Sequence, residues 1–204
     1  MTAFRPITIK LIATCALLAL TSGCSSLQGT PAKAVYDFGP GPLTLPATNR
    51  TAPAPALVLT EIESSAALDG TSVLYRLAYA DAQQLQPYAL ARWSMSPAHL
   101  VRQRLRDSLS LRGPVLNAGD GNVPLVLRVE LDEFSQLFEA VDKSSGLLRL
   151  RATLTRNEAL VGQRSFIVQR LAPSADAAGG VRALSAATDA VVDEIGAWLA
   201  QTPR

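Results

Sequence analysis

A chain of 204 residues, 48% hydrophobic and only 18% charged, is too apolar to be disordered throughout and suits one domain with a tail. The formal net charge is +2, but Arg5 and Lys10 are the only charges before residue 24. A chain cleaved there retains 17 of 19 basic residues and all 17 acidic ones, and this balance gives no support to nucleic-acid binding.

The first 23 residues have the pattern of a bacterial secretory signal. Arg5 and Lys10 form a positive n-region, and residues 11–20 form an apolar core of about ten residues. A membrane-spanning helix needs about twice that length. We therefore predict that residues 1–23 are a signal peptide and that the protein is exported.

Cys24 follows the residues Leu-Thr-Ser-Gly, which resemble the lipobox of bacterial lipoproteins, with Thr21 where leucine is usual. A disulfide with Cys15 is the alternative, but Cys15 lies inside the predicted signal and would be lost with it. We expect Cys24 to be the lipid attachment site, with palmitate-type N-acyl and S-diacylglycerol groups. Ser25, and not the Asp that retains lipoproteins in the inner membrane, follows it, which predicts the periplasmic face of the outer membrane.

Residues 24–56 predict a lipidated, proline-rich tether, and residues 57–204 the folded domain. Six prolines between 31 and 55 remove amide donors and favour extended chain. The prolines also make the glycines of 38–43 a poor phosphate cradle. Within the tether, residues 35–38 are either an edge strand on the domain or a loop.

The first half of the domain predicts three strands and a helix. Strands at 57–63 and 72–80 are expected to pair antiparallel around the Asp69-Gly70 turn, with a third strand at 88–94. A helix begins after Ser96 with Pro97 in its first turn. Its apolar stripe comprises Ala98, Val101, Leu105 and Leu109, with Leu100 at the margin.

The second half predicts a meander of three strands, 123–134, 147–155 and 159–171, followed by an amphipathic helix over 181–201. A turn is expected at 144–146, and the third strand is expected to be more fully covered than the other two. Together these elements predict an α+β fold, with a largely antiparallel or mixed sheet of about six strands and two helices packed on one face.

Residues capable of chemistry are few. The single histidine, His99, is either an exposed polar residue or a general base, and one mature cysteine with one histidine cannot form a zinc tetrad. The pairs Glu61 with Glu63 and Glu130 with Asp132 are typical of solvated strand faces, neutralised by arginines on neighbouring strands. We predict no catalytic residue, no cofactor site and no metal site, and therefore no enzyme.

Four arginines make the first predicted helix basic: Arg102, Arg104, Arg106 and Arg112. Arg102 and Arg106 lie four residues apart on one face, so they either contact lipid phosphates or an acidic partner, or form an ordinary solvated surface.

Residues 75–109 carry a recognisable pattern. The segment contains Tyr75-Arg76-Leu77, Ala80-Asp81, Tyr88, Arg92-Trp93, Pro97, Leu100-Val101 and Arg104-Leu105. This pattern resembles the ABC-type transport auxiliary lipoproteins, the PqiC-like family associated with mammalian-cell-entry (MCE) systems. The motif at 36–40 and the C-terminal Ala-Trp-Leu-Ala at 197–200 extend the likeness, with Phe38 where leucine is usual.

The resemblance implies a lipoprotein that accompanies an ABC ATPase, a permease and an MCE-domain protein in moving phospholipids between the inner and outer membranes. Its docking face is expected at exposed strand edges or at the basic helix, and self-association is left open. An outer-membrane assembly lipoprotein that plugs or chaperones a β-barrel is the alternative function, and an envelope hydrolase is a third.

Overall fold

The computed structural model describes residues 32–40, 54–121, 123 and 125–202. The predicted signal peptide, Cys24 and most of the predicted tether lie outside these residues. The described residues from Lys33 onward belong to one structural unit. No helix in the described residues is both long enough and apolar enough to cross a bilayer.

Nine strands and two helices follow one another along the part of the chain that the structure describes. They are β1 (Ala34–Tyr36), β2 (Leu57–Leu59), β3 (Glu63–Ser64), β4 (Ser72–Leu77), β5 (Asp81–Trp93), α1 (Pro97–Ser110), β6 (Val115–Leu116), β7 (Leu125–Ala140), β8 (Lys143–Arg156), β9 (Ala159–Leu171) and α2 (Ala177–Gln201). The α+β class and the two helices are confirmed, and the mixed sheet has more strands than the six expected.

The sheet is organised around β7. Strand β8 pairs antiparallel with one edge of β7, and β9 pairs antiparallel with β8, so the three strands form the predicted meander. Along the other edge of β7 lie β2, β3 and β4 in succession, all parallel to it. Antiparallel β5 extends the sheet from β4, and the short β1 pairs in parallel with the end of β5.

The predicted hairpin around Asp69-Gly70 is wrong. Residues 57–77 keep one direction along β7, because Val58 lies opposite Val126 and Tyr75 lies opposite Gln136. The 65–71 loop therefore bulges out of an interrupted strand and does not reverse it. The true hairpin is β4–β5, and the segment 81–87, expected to be a connection, is part of β5.

The prediction of a turn at Ser144–Gly146 is also wrong. These residues lie within β8, and the chain reverses at 141–142. Gly146 is needed there for close packing. A Cβ on Gly146 would lie 2.6 Å from the backbone nitrogen of Leu184 in α2. Strand β7 likewise continues to Ala140, beyond the predicted end at 134, after a register shift between Leu131 and Glu133.

Both helices pack on one face of the sheet and share one core with it. Ser96 and Pro97 begin α1 as predicted, and Leu100 is buried with the apolar stripe instead of marginal. Helix α2 begins four residues earlier than expected, where the Asp176 carboxylate accepts a hydrogen bond of 2.7 Å from the Gly179 amide.

Strand β9 has the predicted bounds, but the expectation that it is a more fully covered strand is wrong. It pairs with β8 alone, so it lies at an edge of the sheet. Only Phe166 and Val168 are buried, both beneath α2. Leu160, Ile167 and Leu171 project from the face that no helix covers, and all three are exposed.

Candidate docking surfaces

His99 has no surroundings that would make it a general base. Its side chain is 65% exposed, its Nδ1 lies 2.8 Å from the Ser96 hydroxyl, and its Nε2 is 4.0 Å from Glu61. Efficient proton transfer needs a positioned base in a cleft that tunes its pKa. The arrangement is that of an exposed polar side chain in the first turn of α1.

Of the two carboxylate pairs, Glu63, Glu130 and Asp132 lie on strands as predicted, whereas Glu61 lies in the segment between β2 and β3. Glu61 is 71% exposed and forms an ion pair of 3.1 Å with Arg102, while Glu130 pairs with Arg151 at 3.3 Å across β7 and β8. No group of three or more potential metal ligands occurs among the described residues.

The arginine side chains of α1 form hydrogen bonds within the domain. Arg102 donates to the carbonyl oxygens of Leu59 and Thr60 at 3.4 and 3.1 Å, just after β2. Arg106 donates to the carbonyl oxygen of Val115 in β6 at 3.2 Å, and both arginines contact the side-chain oxygen of Asn117. They attach α1 to the backbone at this end of the sheet. Neither interpretation offered by the sequence, a docking face or a solvated surface, describes them.

Arg104 joins three elements that are distant in sequence. From α1 it donates to the carbonyl oxygen of Phe38, just after β1, and forms an ion pair of 3.3 Å with Asp189 in α2. The ring of Phe38 packs edge-on against Trp93, with centroids 5.6 Å apart, and lies 6.0 Å from Phe134. Residues 34–39 are thereby held on the domain. The edge strand allowed for 35–38 is present at Ala34–Tyr36, so part of the predicted tether belongs to the sheet.

The tyrosines of the recognised pattern form a second internal cluster. The rings of Tyr75 and Tyr88 lie 4.6 Å apart, and the Tyr88 hydroxyl donates at 2.8 Å to the side-chain oxygen of buried Gln136. Gln136 donates in turn to Ser144 at 2.7 Å. Burial raises the pKa of the Tyr88 hydroxyl, with smaller contributions from Tyr75 and Asp176, and therefore keeps the hydroxyl protonated and available as a donor.

Arg76, also in the pattern, crosses the uncovered face of the sheet to Glu133 at 3.0 Å. Its guanidinium also donates to the carbonyl oxygens of Ala82 and Gln83 in the paired strand β5. The motif residues of the recognised segment thus form contacts that connect strands and helices. They stabilise the fold, and the binding surface lies elsewhere.

A shallow groove of about 480 Å³ lies between the segment after β1 and α2. Tyr36, Phe38 and Val181 contribute apolar surface, and Asp37, Arg182 and Asp189 contribute charges of both signs. The groove is open to solvent along its length, and its mixed charge selects no particular class of ligand.

The β8–β9 hairpin is the most distinctive exposed surface. Residues 143–171 contain six basic residues and one acidic residue, Glu158 in the turn. Three of the four most exposed large hydrophobic side chains of the described chain lie on β9, at 67–69% exposure. This edge could not be predicted from the sequence, because the pattern of β9 resembles that of a covered strand. Only the topology shows that β9 has no neighbour on one side.

These features define an open-sheet α+β domain whose motif residues serve packing and whose exposed surfaces suit binding. The family model of the ABC-type transport auxiliary lipoprotein component matches residues 36–196, well over half of the chain. The protein belongs to this family, which confirms the resemblance carried by residues 75–109. It is therefore a membrane-anchored periplasmic lipoprotein of the kind that assists ABC-type transport.

Two solved structures show the same fold. Protein XCC0632 from Xanthomonas campestris is 17% identical, with a TM-score of 0.63 over 83% of this chain and 92% of that one. A second structure, described as an uncharacterized protein, is 13% identical, with a TM-score of 0.61 over 82% of this chain and 99% of its own. No curated protein matches the chain.

Proposed function

We propose that this protein is a lipid-anchored docking component on the periplasmic face of the outer membrane. In this proposal it serves an ABC transport system in which an MCE-domain protein bridges the periplasm and phospholipids move between the membranes. The family match over residues 36–196 carries the proposal, together with the lipobox-like residues that place Cys24 just before the matched region.

The position of β1 sets how far the domain can reach. Only ten residue steps separate Cys24 from Ala34, where the sheet begins. An extended chain spans at most about 3.5 Å per residue, so β1 lies within about 35 Å of a lipid-bearing Cys24. This reach is much shorter than a free tether ending at residue 56 would allow. The proposed protein therefore holds the β1 side of its domain close to the membrane.

The described chemistry suits a component that binds without catalysis. The α1 arginines are engaged by backbone carbonyls and aspartate or glutamate side chains, and the pair Glu61 and His99 is open to solvent. In this division of labour the ATPase supplies the energy, and the lipoprotein contributes position. Two or more acyl chains on Cys24, at about 0.8 kcal/mol per buried CH₂ group, would hold the domain at the bilayer.

Membrane fractionation with partner capture tests the proposal. The native protein is expected in the outer-membrane fraction and to co-purify with an MCE-domain protein, whereas a Cys24→Ser variant should leave the membrane and lose transport function while remaining folded. Recovery with a β-barrel partner instead, or full function of the unanchored variant, would overturn it.

A further inference from the structure

The free edge of β9 differs from the other edges of the sheet. The edge strands β1 and β6 have three and two residues, and the open edge of β5 is interrupted by Pro87 beside shifts in register. Strand β9 has 13 residues, with neither proline nor lysine. A long, flat edge presents unpaired backbone donors and acceptors to any extended chain, and proteins usually blunt such edges with proline, lysine or short length. The one shift in register between β8 and β9 lies near the start of β9, between Leu160 and Gly162, and the only charged side chains of β9 are Arg164 and Arg170. Most of this edge is therefore open to another strand.

The two faces of β9 carry different chemistry at this edge. By their register with β8, Leu160, Ile167 and Leu171 project from the helix-free face, opposite Thr155, Arg149 and Ser145. Arg164 and Arg170 project from the other face, at positions whose partners are Ala152 and Gly146. Since side chains alternate along a strand, an added strand would meet apolar side chains on one face and guanidinium groups on the other.

The arginines around this edge are free to bind a carboxylate. Arg149, Arg164 and Arg170 form no ion pair with any described residue. The Arg164 guanidinium lies 5.0 Å from the centroid of the Phe166 ring, and Arg170 donates only to the neighbouring Gln169 carbonyl oxygen. The α1 arginines, in contrast, are occupied by the fold.

We propose that the β9 edge binds an extended acidic segment of a partner protein, in which carboxylates alternate with apolar side chains, by adding it as a tenth strand. Self-pairing is less favourable, because two β9 strands side by side bring four arginines together with no acidic residue on either strand. The inference rests on the proposed docking role and specifies the chemistry of the partner.

The test uses the full chain purified in detergent and a fluorescent ten-residue peptide of alternating glutamate and valine. Binding is measured by fluorescence anisotropy, and hydrogen exchange of the β9 amides is followed with and without peptide. We expect saturable binding and slowed exchange along β9. A peptide of alternating lysine and valine, and one with the same glutamates and valines in two separate blocks, should bind at least about tenfold more weakly, because each loses one of the two matched faces.

Matched protein variants locate the site. Arg164→Glu with Arg170→Glu should weaken binding about tenfold or more. Lys33→Glu with Arg92→Glu makes the same change of charge at the opposite, β1–β5 side of the sheet and should leave binding unchanged. Circular dichroism verifies that each variant is folded.

Three results would overturn the inference. The first is that the acidic and basic peptides bind equally well, or that neither binds. The second is that the acidic peptide binds but leaves the hydrogen exchange of β9 unchanged. The third is that light scattering shows the protein dimerising through β9. Because the peptide assay needs neither membrane nor transporter, its failure alongside correct membrane fractionation would remove this inference and leave the proposed function standing.

Discussion

The guanidinium of Arg104 donates a hydrogen bond to the carbonyl oxygen of Phe38, a residue 66 positions earlier in the chain. This contact closes the domain at the point where the predicted tether meets the sheet. A pull on the tether would therefore act on β1, and Arg104 with the packing of Phe38 against Trp93 would resist it.

Replacing Arg104 by methionine should destabilise the domain by about 1.5–3 kcal/mol, because its side chain is only 10% exposed and its hydrogen bond to a carbonyl involves a charged donor. Urea unfolding measures the loss, and limited proteolysis should show faster cleavage around residues 36–40. Asp189→Asn is the control. Asp189 is 55% exposed, so that change should have an effect below about 0.5 kcal/mol. Equal effects of the two variants would contradict the role assigned to Arg104.

Gly146→Ala should destabilise the domain by about 1–3 kcal/mol, since its new methyl group would overlap the backbone of Ala183 and Leu184 and displace α2. For a domain of this size, thermal unfolding should shift downward by about 2–4 °C per kcal/mol. Gly70→Ala, where nothing lies within 4 Å of the added Cβ, should leave the melting temperature nearly unchanged. A Gly146→Ala protein as stable as the native one would show that α2 does not lie this close to β8.

Tyr88→Phe removes the donor to the fully buried Gln136 side chain and should reduce stability by about 1–3 kcal/mol at neutral pH. The pKa of Tyr88 is raised in the folded state, mainly by burial, so its contribution is complete below the usual value of about 10. Above that pH the unfolded chain loses the proton first, and stability falls. Denaturant titrations between pH 8 and about 11 should show a smaller decline for the variant than for the native protein. Parallel declines would contradict the assignment.

Asp176 provides a test at acid pH. The Gly179 amide is the main cause of the lowered pKa of its carboxyl group, followed by Ser174. Its stabilising effect is therefore present above the usual value of about 3.9 and is lost as pH falls further. Asp176→Ala should reduce stability at pH 7 by about 1 kcal/mol, whereas Asp176→Asn should retain the cap and lose only the acid dependence. Identical behaviour of the two variants in thermal unfolding at pH 7 would argue against capping by this side chain.

The elements that could be predicted from sequence are those with strong local patterns. Alternation identified β7 and β8, Ser96 and Pro97 located the start of α1, and the repeating apolar residues of 181–201 identified α2. In each case the buried positions follow from a period of two or of about four residues. The family could be recognised from residues 75–109 because these residues make the contacts that connect the strands and helices of the fold.

What could not be predicted depended on distant contacts. Asp69-Gly70 favours a hairpin locally, but parallel pairing of β2, β3 and β4 with β7 overrides that preference. Gly146 is typical of a turn, yet it is required inside a strand by the approach of α2. The roles of Arg102, Arg104 and Arg106 were missed because their acceptors are mostly backbone carbonyls, which have no signature in the sequence.

The mass of the intact protein purified from its native membrane tests the central claim most directly. The account predicts a chain that begins at Cys24 and carries the additional mass of a diacylglyceryl group and an N-acyl chain. A chain that still begins at Met1, or one with an unmodified Cys24 thiol, would contradict it.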